Sequence, residues 1–341
     1  DKRVAQWLAK VVDLADRDEW RRSMRSEIQQ GDIAALIERA SDTQAVQDQP
    51  EIILIQLAKA LQESDDTRLL GMLPDTINWE VLKPIGLKSE RGATLQLLDD
   101  GSIFSSGTNP YLDTLVITAP VGDRPITAVR LETIPDVRLR GGCAGRGEGG
   151  QVVLAEFKAA VHPASNPDNE EPLVIDRAIA DYARSPAFSV SKAVDGLPST
   201  AWHILPGQRQ LHTAIFVATP PKGDGEMILE VRLETVGAHA GPGRFRLSVT
   251  HDPIHLPDPK HAALALLQGV HQRHPDNYWV NLALAETLSQ QTPPALDEAL
   301  RYATAAVALR PDNAAPHATL IRVLPPNQLD LDHPLGKLAS F

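Results

Sequence analysis

One cysteine, Cys143, occurs in 341 residues. An internal disulfide is therefore impossible, and a small fold stapled by cross-links is excluded. Aromatic residues make up 4% of the chain, which leaves few rings to serve as stacking platforms. Cations are outnumbered, with 33 Lys and Arg against 44 Asp and Glu and a net charge of −11. That balance argues against a general nucleic-acid or anionic-membrane surface, because phosphate binding needs clustered Lys and Arg. Apolar runs such as IILIQLA at 52–58 are far shorter than the roughly 20 residues that cross a bilayer. The first ten residues, DKRVAQWLAK, are charged and amphipathic, unlike a secretory leader. These absences predict a soluble, cytoplasmic chain with no membrane insertion and no nucleic-acid partner.

Catalytic signatures are missing too. There is no G-x-S-x-G elbow, and no H-E-x-x-H motif as in zincins. His271 and His274 sit one helical turn apart without a visible third ligand. No D-x-D-x-D-G loop supports calcium at Asp99, Asp100 or Asp224. Cys143 has no base beside it. GRGEGG at 145–150 satisfies G-x-G-x-x-G, but a dinucleotide site needs a helix after it, and the QVVLAEFKAAV that follows reads as a strand. No catalytic residue, metal or cofactor is expected.

What is present is a change of period. Val4, Leu8, Val11 and Ala15 recur at helical spacing, with Trp7 and Val12 widening the face. Trp20, Met24 and Ile28 mark a second helix, which Gly31 ends; Asp32 caps the next, burying Ile33, Leu36 and Ile37. A further run, 51–63, places Ile53, Leu57 and Leu61 on one side. From about 78 the period becomes two. ATLQLLDD, DTLVITAP, ITAVRLET, QVVLAEFKAAV, HTAIFVAT, MILEVRLET and RFRLSVT are bounded by Gly, Pro, Asp and Asn clusters. Many short strands with turn punctuation indicate an antiparallel sandwich or jelly roll. From 258 the helical period returns. Trp279, Leu282 and Ala283, then Ala299, Ala306 and Pro311, follow the tetratricopeptide order, with extra residues where QTPP stands.

The predicted organisation is therefore α+β and multidomain. A helical repeat-like segment, 1–73, precedes an inserted β-sandwich, 74–255. Tetratricopeptide-like helices, 256–324, and an irregular tail, 325–341, complete it. The insert contains two similar strand groups, 78–161 and 172–253.

Two stretches resemble known families. EWRRSMRSEIQQGDIAALIERASDTQAVQDQP at 19–50, LLQGVHQRHPDNYWVNLALAETL at 266–288 and AAVALRPDN at 305–313 resemble a region of large planctomycete serine/threonine protein kinases. That region carries tetratricopeptides and follows the kinase domain. In those proteins the two parts run together; here strand-rich sequence separates them. The insert, with ITAVRLETIPD, GGCAGRGEGG, VVLAEFKA, AVDGLPSTAWHI and GPGRFRLSVT, resembles β-sandwich segments of planctomycete proteins that also carry cytochrome-c-like domains. Its DGLPSTAW element is also similar to discoidin-type, galactose-binding-like sandwiches. The resemblance implies a non-catalytic, regulatory or scaffolding region of a kinase-associated signalling protein. Its helical repeats would take a protein or peptide, and its sandwich a possible glycan. No HRD, DFG or VAIK motif is present, so kinase activity would belong to another segment. A carbohydrate-binding module is the alternative, and a hydrolase the second.

The residues that could carry binding follow from these motifs. Trp202, with His203 and Gln208 beside it, stands at the sandwich mouth; the indole can equally fill the core. Arg146 and Arg244 each follow a glycine before a strand. They could hold a carboxylate, or pair with an acid such as Glu132 or Glu234. Asn277, Trp279 and Asn281, with Arg310, are offered by the tetratricopeptide-like helices.

VRLET occurs twice, at 129–133 and 231–235, each time after a loop-bounded strand and before a glycine-rich turn and a Gly-Arg pair. Alternation puts Val129, Leu131 and Thr133 on one face and Arg130 and Glu132 on the other. The copy is an architectural unit rather than a catalytic signature.

Overall fold

The computed structural model describes residues 16–63, 68–205, 207–220, 225–237, 239–289, 291 and 294–324. The helix expected around Val4 to Ala15, the tail 325–341 and Asp224 lie outside the described residues. The chain divides into two compact units. One holds the described residues up to 63 and from 257 onward, the other those from 68 to 256. The first boundary thus falls before residue 65 rather than after 73. The short turn Leu70–Met72 belongs with the strands, and Leu69 beside it is fully buried.

The helical unit contains α1 (Glu19–Gln30), α2 (Ile33–Ser41), α3 (Thr43–Gln47), α4 (Glu51–Gln62), α5 (Pro259–Arg273), α6 (Tyr278–Ser289), α7 (Leu296–Leu309) and α8 (Ala314–Val323). Local chemistry sets its boundaries. Asp18 accepts from the Arg21 N–H to start α1, and Gly31 at φ 64 closes it. Asp32 then accepts from the Ala35 N–H to open α2. Met24, Leu36, Leu54, Leu57 and Leu61 share one core with Leu267, Val270, Val280 and Leu284, so chain segments distant in sequence build it together. Ala285, Ala299 and Ala303 lie in a second cluster between α6 and α7, where small side chains let helices approach closely.

The other unit is built from antiparallel strands: β1 (Glu80–Val81), β2 (Gly86–Ser89), β3 (Ala93–Leu97), β4 (Ile103–Gly107), β5 (Asp113–Gly122), β6 (Ala128–Thr133), β7 (Val152–Leu154), β8 (Glu156–Pro163), β9 (Glu171–Pro172), β10 (Val174–Ala180), β11 (Trp202–Ile204), β12 (His212–Thr219), β13 (Met227–Thr235) and β14 (Arg244–Thr250). One sheet runs β10-β12-β6-β14-β4-β3 with β1 added beside β14; the other runs β2-β5-β13-β8-β9. A two-stranded ribbon joins β11 to β7. Inward side chains of both large sheets form one hydrophobic cluster, in which Phe157 of one stacks on Phe216 of the other at 3.7 Å between ring centroids. The unit is a β-sandwich.

The VRLET copies occupy matching places in opposite sheets. β6 lies between β12 and β14, and β13 lies between β5 and β8. Val129 faces Phe216 and Leu131 faces Ala214 across β12, while Val231 faces Ile117 and Leu233 faces Leu115 across β5. Thr133 donates its hydroxyl to the His212 carbonyl at 3.3 Å, and Thr235 donates to the Asp113 carbonyl at 3.1 Å. On the far side Leu131 faces Leu247 and Leu233 faces Phe157. One strand triplet is therefore written twice, once per sheet. Leu131 and Leu233 share a single core, so the two strand groups interleave instead of forming separate sandwiches.

Two sequence expectations change. QVVLAEFKAAV is not one strand: it breaks at Ala155 into β7, which pairs with β11, and β8, which joins β13. The strands β2, β4, β10 and β11 lie outside the runs expected from sequence, although β4 and β11 alternate in burial. In β10 a register shift between Ile175 and Arg177 breaks the period of two.

Candidate functional site

Most of the residues singled out by sequence are committed to holding the fold. Trp202 is 0% exposed and gives its indole N–H to the Tyr182 carbonyl at 2.8 Å. It is a core residue with no surface to offer a ligand. His203, half-buried on the same strand, lies 4.2 Å from the Phe188 ring. Burial, then the charge of Arg184, lowers its pKa and keeps the ring neutral more readily. Gln208 follows in the next loop, where Gly207 donates its N–H to Gly149.

The two Gly-Arg loops meet each other. Gly145 bridges to Pro242, Arg146 N–H reaches the Gly241 carbonyl at 2.9 Å, and Gly243 N–H reaches that of Ala144 at 2.7 Å. A Cβ on Gly145 would stand 1.9 Å from the Gln151 carbonyl oxygen, so the glycine is required by close backbone approach. The guanidinium of Arg146 is spent on the carbonyls of Gly107 (2.7 Å) and Thr108 (2.9 Å) and on Ser105 Oγ (3.2 Å). The space beside it is about 10 Å³, room for no more than a water. Arg244 binds Asp100 Oδ2 at 2.6 Å, Asp136 Oδ2 at 3.1 Å and Ser102 Oγ at 3.0 Å. Its acids are thus Asp100 and Asp136; Glu132 pairs with Arg246, and Glu234 with Lys158. Both arginines fasten loops.

In the helical unit Asn277 caps α6, accepting from the N–H groups of Trp279 and Val280. Asn281 is 1% exposed and donates to the carbonyls of Pro275 and Asn277, which makes it an internal brace rather than a contact residue. Trp279 is 44% exposed, and the Arg310 guanidinium lies 5.5 Å from its ring centre and 4.6 Å from that of Tyr278. A separate groove of about 660 Å³ opens beside α5, with Ile37, Val46, Ala262 and Leu266 among its lining.

The sandwich carries an open groove of ligand size, about 370 Å³, along the free part of β8. β9 pairs with β8 only at Ala160 and Val161, and the groove lies where that cover stops. Its apolar lining includes Phe157, Ile175 and Val194; its polar lining is Glu156, Lys158, Glu170, Glu230 and Arg232. Alternation along β8 and β13 sends Glu156, Lys158, Glu230, Arg232 and Glu234 outward. The register then sets Glu156 opposite Glu234 and Lys158 opposite Arg232. Like charges directly across a ladder are unfavourable. Ion pairs relieve part of this: Lys158 Nζ lies diagonally across the ladder, 2.6 Å from Glu234 Oε1, and Arg232 bonds Glu230 of its own strand at 3.2 Å and also Glu90.

Glu156 is the exception. It is 3% exposed, and its Oε1 has no hydrogen-bond partner among the described residues. Gly196, in the DGLPSTAW turn, lines the groove beside it. Burial raises the pKa of Glu156, the neighbouring Asp195 and Glu234 add to this, and Lys158 opposes it. The sequence does hold a trace of this residue, an acid inside an otherwise apolar strand run. Its burial, however, comes from the 194–196 turn, some forty positions away.

Among the described residues no group of three His, Cys, Asp or Glu could hold a metal ion, and no helix is long and apolar enough to cross a membrane.

No family model matches the chain, and no curated protein matches it. Solved structures with partial similarity include two carbohydrate-binding modules. One is a family 29 carbohydrate-binding module: identity is 11% and TM-score 0.23, covering 52% of this chain and 90% of that one. The other is a mutant family 29 module from work on ligand recognition: identity is 12% and TM-score 0.21, covering 51% and 88%. TM-scores this low do not establish a shared fold.

Proposed function

We propose that the β unit is a non-catalytic ligand-binding module, and that its ligand is a glycan lying in the groove along β8. The observation that carries this reading is Glu156. A buried carboxyl oxygen without a partner costs stability, and so does a carboxylate placed opposite another. Such a departure from the local rules is expected where function outweighs stability. Carboxylates and cations around an apolar floor suit a ligand that both donates and accepts hydrogen bonds, as sugar hydroxyls do. No exposed ring lines the groove, so hydrogen bonds rather than stacking would hold the sugar. In this reading the sandwich is of the galactose-binding, jelly-roll kind. A glycan array followed by titration calorimetry tests it. Saturable binding of oligosaccharides supports it, and silence across neutral, acidic and amino glycans sinks it.

A second reading concerns the helical unit: a tetratricopeptide-like scaffold, within a kinase-associated signalling protein, that takes a peptide in the groove beside α5. Its support is the size and apolar floor of that groove. A Cβ at Gly269 would meet nothing within 4 Å, so Gly269→Leu would project a side chain into the groove. Peptides selected from a library by the full chain should lose binding at least tenfold in this variant. Unchanged binding would place them elsewhere.

A further inference from the structure

We propose that the β8 groove selects ligands bearing a free amino group, and that Glu156 anchors this group. The inference rests on the groove reading above and names its ligand class. The cations of the groove are already neutralised: Lys158 by Glu234, and Arg232 by Glu230 and Glu90. The acids are not. Glu156 Oε1 has no hydrogen-bond partner, and neither Glu156 nor Glu170 enters an ion pair, among the described residues. Asp195, next to Gly196, adds a further negative charge; it is held by Thr200 Oγ1 at 2.8 Å and more distantly by Lys192 at 3.5 Å. The uncompensated charge of the groove is therefore negative, and it centres on a carboxyl buried with one oxygen unbonded.

A neutral hydroxyl would satisfy that oxygen geometrically but leave the charge. An ammonium supplies both the donor and the counter-charge, and charge-assisted hydrogen bonds are roughly twice as strong as neutral ones. An ammonium also offsets the repulsion between Glu156 and Glu234, which no residue of the chain does for Glu156 on its own strand except Lys158, itself engaged with Glu234. Among glycans this points to amino sugars with the nitrogen unsubstituted.

The test uses the full chain. Calorimetry compares a glucosamine tetramer, its N-acetylated counterpart and cellotetraose, and hydrogen–deuterium exchange locates binding through protection of residues 156–160. The expected result is that the amino tetramer binds at least tenfold tighter than either neutral oligomer, protects 156–160, and loses that preference in Glu156→Gln. Glu170→Gln, at an exposed position, should weaken it about twofold to threefold. Equal binding of all three with the same protection overturns the amine selectivity and leaves the groove reading standing. No binding by any of them overturns both. A lysine-rich peptide that protects 156–160 while the amino tetramer does not would overturn the glycan source. Melting curves of each variant, expected no lower than that of the parent chain, separate lost binding from lost fold.

Discussion

Glu156 sits in an environment that favours its neutral form. Burial comes first, Asp195 and Glu234 reinforce it, and Lys158 counteracts it. A carboxyl whose folded pKa is raised loses stability as pH climbs from the ordinary glutamate range through the folded value. Glu156→Gln, which keeps the shape and removes the charge, should therefore melt higher than the parent chain at pH 7. The difference should shrink as pH falls through the ordinary glutamate range and vanish below it, where the carboxyl is neutral in both folded and unfolded chains. A lower melting temperature at pH 7 would mean that the charge is stabilising after all.

Asp136 has the opposite character. Hydrogen bonds from Arg138 hold its carboxyl well below the usual carboxylate range, and the charge of Arg244 helps. Asp100 in the same cluster is lowered to about 2, chiefly by the Ser102 hydroxyl, with Arg244 also contributing. Such groups contribute stability above the ordinary aspartate pKa and lose it as pH falls towards the folded value. Asp136→Asn, which leaves the guanidiniums short of a partner at a buried position, should cost about 2–4 kcal/mol at pH 7. Urea titrations should show that gap narrowing below pH 4.

The glycine-rich loop between β6 and β7 is followed by a strand, as the sequence predicts. Its G-x-G-x-x-G spacing imitates a phosphate cradle, yet β7 follows it and the glycines serve packing. Gly150 has φ 79, and a Cβ there would stand 2.4 Å from Cys143 Cβ. Gly150→Ala combines a left-handed backbone with this clash, and should destabilise the chain by at least about 2 kcal/mol in a chemical denaturation series. Other elements were legible for plain reasons. Gly31 and Asp32 end one helix and start the next because a left-handed cap and an N-cap carboxylate are local requirements. The alternation in VRLET placed Val129 and Leu131 inward, as found. The split of QVVLAEFKAAV at Ala155 was not legible, because burial is nearly continuous through both halves and leaves no period to break. Only the partners β11 and β13 tell them apart.

Across the molecule, the two large cores share no residue: one is drawn from the strand-rich unit and the other from the helices. Each unit thus has the makings of an independent fold. Residues 65–256 expressed alone should give a single cooperative melt with a β-rich circular dichroism spectrum. A chain without a cooperative transition would show that the strands depend on the helices. The helical counterpart needs both flanking segments, since α4 from one and α5 from the other bury Leu57, Leu61 and Leu267 in one cluster.

Period, capping and composition, which act between near neighbours, were enough to place most helices and the longer strands, and to rule out disulfides and membrane-spanning runs. They also marked Trp202, Arg146 and Arg244 as notable, but could not say that the first fills the core and the others tie loops. The groove was decided by pairing between distant strands. Register sets Glu156 against Glu234, a turn some forty residues away buries it, and the two copies of VRLET become neighbours of one core. Desolvation and charge pairing depend on what lies within a few ångströms, and for Glu156 those neighbours come from β13 and the 194–196 turn rather than from its own stretch of chain.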